Sequence, residues 1–142
     1  MKKVIGALLF LAAVLMTACS DPTNAELLLG SWKMDRAYET VSSTGQGSVV
    51  NDLPSTDVRY IRFDEDGLCI IKEGNDKYYY DWYLSDETEL LLVPVNSTTI
   101  QLNYTISQLD KVRLVYGNQY SELDSASGAR TIHTYTFEYK KL

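Results

Sequence analysis

From Ile100 to Ser107 the chain alternates without a break, with Ile100, Leu102, Tyr104 and Ile106 on one parity and Gln101, Asn103, Thr105 and Ser107 on the other. A strand sends successive side chains to opposite faces, so this period of two predicts a half-buried strand. Val112, Leu114 and Tyr116 continue the apolar side beyond a short polar turn at "QLDK". Near the C-terminus His133, Tyr135, Phe137 and Tyr139 share one parity, against Thr134, Thr136, Glu138 and Lys140. Runs of this kind predict strands at about 30–41, 57–63, 68–73, 77–84, 89–94, 98–107, 111–116 and 130–140. The tight turns "DEDG", "EGND" and "SDET" make sequence neighbours hairpin partners. The fold class is therefore all-β: about eight antiparallel strands in up-and-down order, closing into a small barrel because closure leaves no exposed edge. Two longer connections, 42–56 and 117–129, are rich in Ser, Gly and Asn and read as mobile surface loops. "AELLLG" suits a single helical turn closing on Gly30.

The stretch "KYYYDWYL" at 77–84 divides by the same parity. Tyr78, Tyr80, Trp82 and Leu84 join the core alternation that continues into Leu90 and Leu92. Tyr79 and Tyr83 stand on the other side and are the candidates for a surface interaction, since aromatic residues are favoured at interfaces.

The N-terminus is different in kind. "MKK" followed by "VIGALLFLAAVLM" and the small residues of "TAC" has the architecture of a secretory signal. "LMTAC" resembles a lipobox, the bacterial lipoprotein signal, which implies cleavage after Ala18 and a lipid, palmitate included, on Cys19. An ordinary signal peptide cleaved near Ala18 and a membrane-anchoring helix are the alternatives. The expected organisation is a signal peptide at 1–18, a lipidated tether at 19–26 and a folded domain at 27–142. Loss of Lys2 and Lys3 leaves 11 basic against 19 acidic residues, net −8. Such a balance argues against nucleic acid as a partner and against a basic patch on anionic lipid. With Cys19 lipidated, Cys69 in "LCII" is the sole remaining thiol, so no internal disulfide is expected, and it reads as a small buried hydrophobe.

"LLGSWKM", with Gly30 and Trp32 opening the first strand, resembles the G-x-W start of lipocalins. In order along residues 27–142, "YIRFDEDG", "YYYDWYLSDETELLL", "LNYTISQLDKVRLVYG" and "TYTFEYKKL" resemble the lipocalin-like lipoproteins of Bacteroidetes. The resemblance implies a small antiparallel barrel on a lipid anchor, with Trp32 packed low inside. It also implies export to the cell envelope, with the outer membrane favoured over the inner. Classical lipocalins set an arginine over the tryptophan from near the last strand; here that strand offers Lys140 and Lys141, with Arg130 only at its start. Eight strands enclose an interior that side chains fill or that holds one small ligand.

The only histidine, His133, has no second His or Cys at metal-ligand spacing, so no metal or other cofactor is expected and His133 reads as a hydrogen-bonded structural residue. Asp64, Glu65 and Asp66 before Gly67 read as a hairpin turn rather than a calcium loop. No nucleophile or phosphate-loop motif is present, and no enzymatic activity is expected. "DSA" at 124–126 matches a short O-glycosylation pattern at Ser125. The functional expectation is a tethered barrel that binds a small apolar or amphipathic ligand, lined by Trp32, Tyr38, Phe63, Tyr80, Trp82, Tyr104, Tyr116, Tyr135 and Phe137. The alternative is a filled barrel whose outer aromatic surface, at Tyr79 and Tyr83, docks a protein or glycan.

Overall fold

The computed structural model describes residues 21–54, 58–97 and 100–142; Cys19 and the signal segment lie outside them. A short helix α1 (Asn24–Leu28) leads into nine strands: β1 (Gly30–Ser43), β2 (Ser48–Asp52), β3 (Arg59–Phe63), β4 (Leu68–Glu73), β5 (Asp76–Ser85), β6 (Glu89–Pro94), β7 (Leu102–Leu109), β8 (Arg113–Leu123) and β9 (Arg130–Lys141). All pairings are antiparallel, in the order β2-β1-β3-β4-β5-β6-β7-β8-β9, and β9 returns to pair with β1. Eight strands thus form a closed up-and-down barrel, the architecture expected from the periodicity, and β2 is a ninth strand outside the closed ring.

The turns follow from local chemistry. Gly67, with φ of 87°, closes the β3–β4 hairpin, where Gly67 N donates to Asp64 O. The Asp110 carboxylate accepts from the backbone N–H groups of Val112 and Arg113, both at 2.8 Å, and so turns β7 into β8. These turns, together with the β5–β6 turn and both ends of the described chain, gather at one end of the barrel.

Helix α1 closes that end. Five residues are too few to hold a helix by propensity, and a reciprocal cap supplies part of the difference: Thr23 Oγ1 accepts from Glu26 N, while Thr23 N donates to the Glu26 carboxylate. Tertiary contacts supply the rest. Leu28 is wholly buried in the core, its carbonyl accepts from Trp32 Nε1 at 2.8 Å, and Asn24 Nδ2 donates to Glu87 O in the β5–β6 turn. Above Leu28 the interior is filled by Trp32, Ile61, Phe63, Cys69, Ile71, Leu90, Leu92, Ile106 and Leu114. Lys141 lies over the Trp32 ring with Nζ 4.1 Å from its centroid, and the same Nζ donates to the carbonyls of Leu27 and Leu29. One cation therefore joins the last strand, the core tryptophan and the helix end, the last of these by meeting carbonyls that have no partner within so short a helix.

The two long loops expected from composition are shorter than that. Residues 48–52 form β2, paired with β1 from Tyr38↔Asp52 to Ser42↔Ser48, and β8 runs on to Leu123 against β9. Neither segment has a hydrophobic alternation, because neither covers a core: they extend past the barrel, where both faces meet solvent. There β8, β9, β1 and β2 stand as a four-stranded wing at the end opposite α1. Conversely, Ile100 and Val112, expected on the core side, lie outside the strands and are exposed.

Lys141→Met keeps the stem but removes the charge. It should lower stability by about 1–2 kcal/mol, from the lost cation–π contact and two carbonyl hydrogen bonds. Urea denaturation followed by tryptophan fluorescence measures this.

Candidate functional site

In "RYIRF" Arg59 has the parity of Ile61 and Phe63, both wholly or almost wholly buried, and barrel closure carries its side chain inward with theirs. Arg59 sits at the end of β3 away from α1, so its guanidinium enters above the filled floor, with the side chain 23% exposed. Its neighbours are aromatic. The guanidinium carbon stands 5.7 Å from the Phe137 ring centroid, and Tyr80, Tyr104, Tyr116 and Tyr139 are near enough to feel its charge.

These rings form one packed group. Tyr104 meets Tyr116 edge to face at 4.9 Å and Phe137 at 6.2 Å, and Tyr116 stacks on Tyr139 at 5.5 Å with their hydroxyls 3.1 Å apart. Tyr116 and Tyr139 are buried, whereas Tyr80, Leu102, Tyr104 and Phe137 are only partly so. Burial pushes the phenols of Tyr80, Tyr104 and Tyr139 up, Tyr139 to about 12, against the opposing pull of Arg59. The rings are thus neutral at physiological pH, and the fixed charges here are Arg59 and, at the rim, Glu73. Arg59 Nε lies 3.1 Å from Glu73 Oε1, an ionic contact, but the N–H does not point at that oxygen. Among the described residues this buried Nε makes no hydrogen bond. A charged donor without an aligned acceptor is costly, which singles out Arg59 among the inward side chains.

The other expected lining residues fall elsewhere. Trp32 and Phe63 are part of the floor, and Trp82 packs on Phe63 edge to face at 5.6 Å while donating Nε1 to Asp64 O at 3.0 Å. Tyr38 is on the outside, contrary to the simple alternation. A bulge between Met34 and Arg36 inserts one residue into β1, so that Ala37 faces Phe137 on the inner side and Tyr38 is turned outward, under the Arg36 guanidinium at 4.5 Å. Tyr78, placed with the core by parity, is at the rim and exposed. Tyr79 and Tyr83 are on the outer wall, 48% and 57% exposed. Ser125 is exposed in the β8–β9 turn, which Asp124 holds by accepting from Ala126 N and Ser127 Oγ. Cys69 is buried, and burial pushes its thiol up to about 12, the state of an unreactive core residue.

Tyr135 and His133 stand on the wing, on the face that continues the barrel interior. His133 Nδ1 is 2.8 Å from Glu39 Oε1, and its ring stacks on Tyr120 at 4.6 Å, nearly parallel. Glu122 Oε2 lies 3.9 Å from Nε2 on the opposite side. Tyr135 is held up to about 12 by hydrogen bonds with Tyr120 and Glu39. This set ties β1, β8 and β9 together where no apolar core does so.

Parity could have found Arg59, because it is a charge in an inward position between core neighbours. What sequence alone lacked was the bulge that decides the parity of Glu39 and the strand pairing that sets the depth of Arg59. The sequence matches no protein-family model and no curated protein.

The His133 hydrogen bond, the largest influence, lowers the Glu39 pKa below its ordinary 4.5. The carboxylate therefore stabilises the wing above that pH, and this is lost as pH falls through the lowered value. The melting temperature of Glu39→Gln should accordingly lie below wild type at neutral pH and converge with it in strong acid, as read by thermal melts from pH 7 to pH 2.

Proposed function

We propose that this chain is a lipid-anchored, non-catalytic protein of the cell envelope whose barrel binds a small amphipathic anion at its open end. The carrying observation is Arg59: a buried guanidinium Nε without an aligned acceptor, ringed by partly exposed aromatic and aliphatic side chains. A carboxylate offers the acceptor in the planar, bidentate form that guanidinium matches. The apolar part of the ligand would lie against Tyr80, Leu102, Tyr104 and Phe137, since pockets for small molecules pair an apolar lining with a few placed polar groups. The filled floor limits depth, which favours a short chain or a single ring system over a long lipid.

The lipocalin-like resemblance supports the same reading. A cation over the first-strand tryptophan is a feature of that family, and Lys141 occupies that position here. The described chain enters at the α1 end, so an anchor on Cys19 would hold the closed end at the membrane and leave the mouth and wing pointing away.

Binding is tested by titrating the full chain, purified in a non-ionic detergent, with decanoate and with decanol. Decanoate should bind more tightly, and Arg59→Met should weaken it by about tenfold to a hundredfold, the scale of a hydrogen bond to a charged group. The same variant should fold with equal or higher stability, because it replaces a part-buried, imperfectly paired charge by an apolar side chain. Equal binding of decanol, or an unaffected Arg59→Met, would contradict the anion reading. Incorporation of labelled palmitate into wild type and its loss in Cys19→Ser tests the anchor separately.

A further inference from the structure

One row of side chains crosses five strands on the outside of the barrel. Lys140 pairs with Lys33, Lys33 with Tyr60, Tyr60 with Lys72, and Lys72 with Lys77. Four lysines and a tyrosine thus stand side by side along the hydrogen-bonding direction, at strand spacings of about 4.8 Å. Like charges directly opposite one another weaken a sheet, so the Lys72–Lys77 pair is a cost to the fold. The chain as a whole is acidic, with net charge −6, and carboxylates to neutralise the row are not scarce. One lysine of the row and one neighbouring arginine are neutralised: Lys140 by Asp35 at 2.8 Å and Arg62 by Asp64 at 2.7 Å. Among the described residues Lys33, Lys72 and Lys77 have no ion-pair partner.

The next row on the same wall reads Ser31, Arg62, Ile70 and Tyr79 in register. A groove of about 220 Å³ runs between the rows, with Tyr60, Ile70, Lys72 and Lys77 in its lining. Tyr79, exposed beside it, is one of the two rings left unexplained by the core. The wall therefore combines three features: unpaired cations in one cross-strand row, flat phenol rings, and a shallow groove with an apolar floor.

We propose that this wall binds an acidic oligosaccharide, its carboxylated pyranose rings lying along Tyr60 and Tyr79 while Lys33, Lys72 and Lys77 take the carboxylates. Charge complementarity requires an anionic partner, and the phenol rings match the apolar face of a pyranose with a hydroxyl at the edge for its polar rim. A bilayer surface fits less well. Lys72 and Lys77 lie next to the β4–β5 turn at the open end of the barrel, whereas the chain enters at the closed end, and a groove suits a rod-like ligand rather than a plane. This site is separate from Arg59, which the barrel wall turns inward.

The full chain in non-ionic detergent is titrated calorimetrically with a hexamer of galacturonic acid, with the methyl-esterified hexamer as uncharged control. Wild type should bind the acidic hexamer, more weakly as salt rises, and the esterified one far less. The double variant Lys72→Ser with Lys77→Ser should lose at least about tenfold in affinity, with an unchanged or raised melting temperature. Tyr79→Ser should weaken binding at unchanged charge, and Arg59→Met should leave it intact. The proposal is overturned if wild type ignores the acidic hexamer, if the double variant binds as wild type, or if Tyr79→Ser has no effect. It is equally overturned if phosphatidylglycerol vesicles compete fully for the same lysines while the hexamer does not.

Discussion

The pairing of β9 with β1 is the interaction on which the rest of the molecule depends. It runs from Trp32↔Lys141 to Ser43↔Thr131 and turns a curled sheet into a ring. Once the ring is closed, every alternate side chain is committed to the inside or the outside, and a strand cannot slip by one residue without exchanging the two sets. The same pairing brings Lys141 over Trp32 and places the helix end under both, so closure and the floor of the barrel are one event. The wing follows from it too, because β1, β8 and β9 remain paired after β7 and β3 have ended.

Commitment to two faces explains why one acidic protein carries two unlike cationic features. Arg59 is inside because its parity is that of Ile61 and Phe63, and the filled floor leaves it no depth to retreat into. The lysines of the outer row are outside because they alternate with core residues such as Ile71. Neither arrangement favours the fold: a part-buried guanidinium with a poorly aligned partner and two directly opposed lysines each cost stability. The binding roles proposed for the two features would offset these costs. The wing differs, since Glu39, His133, Tyr120 and Tyr135 satisfy one another and replace the core that this segment lacks.

Much of this was legible in the chain. The short runs at about 57–63, 68–73 and 98–107 mark strands, the Asp- and Gly-rich turns mark the hairpins, and the apolar parity of Trp32, Phe63, Trp82, Tyr104, Tyr116 and Phe137 agrees with their place in or against the core. The misses share a physical cause. An extra residue at Asp35 leaves no mark on composition, yet it reverses the face of everything after it in β1, so Tyr38 turns outward and Glu39 inward against the simple alternation. The strands of the wing cover no core and therefore show no hydrophobic period, which made 48–52 and 118–123 look like loops. Net charge concealed the lysine row, because register rather than sequence spacing brings Lys33, Lys72 and Lys77 together.

The role proposed for Arg59 at the barrel mouth is read directly by its side-chain Nε–H resonance. In a nitrogen-15 labelled sample of the full chain, adding decanoate should shift and sharpen the Arg59 Nε–H signal as it gains an aligned acceptor, while decanol leaves it in place. If decanoate binds with the Arg59 signal unmoved, or if both ligands move it alike, Arg59 is not the anchor and the mouth does not select an anion.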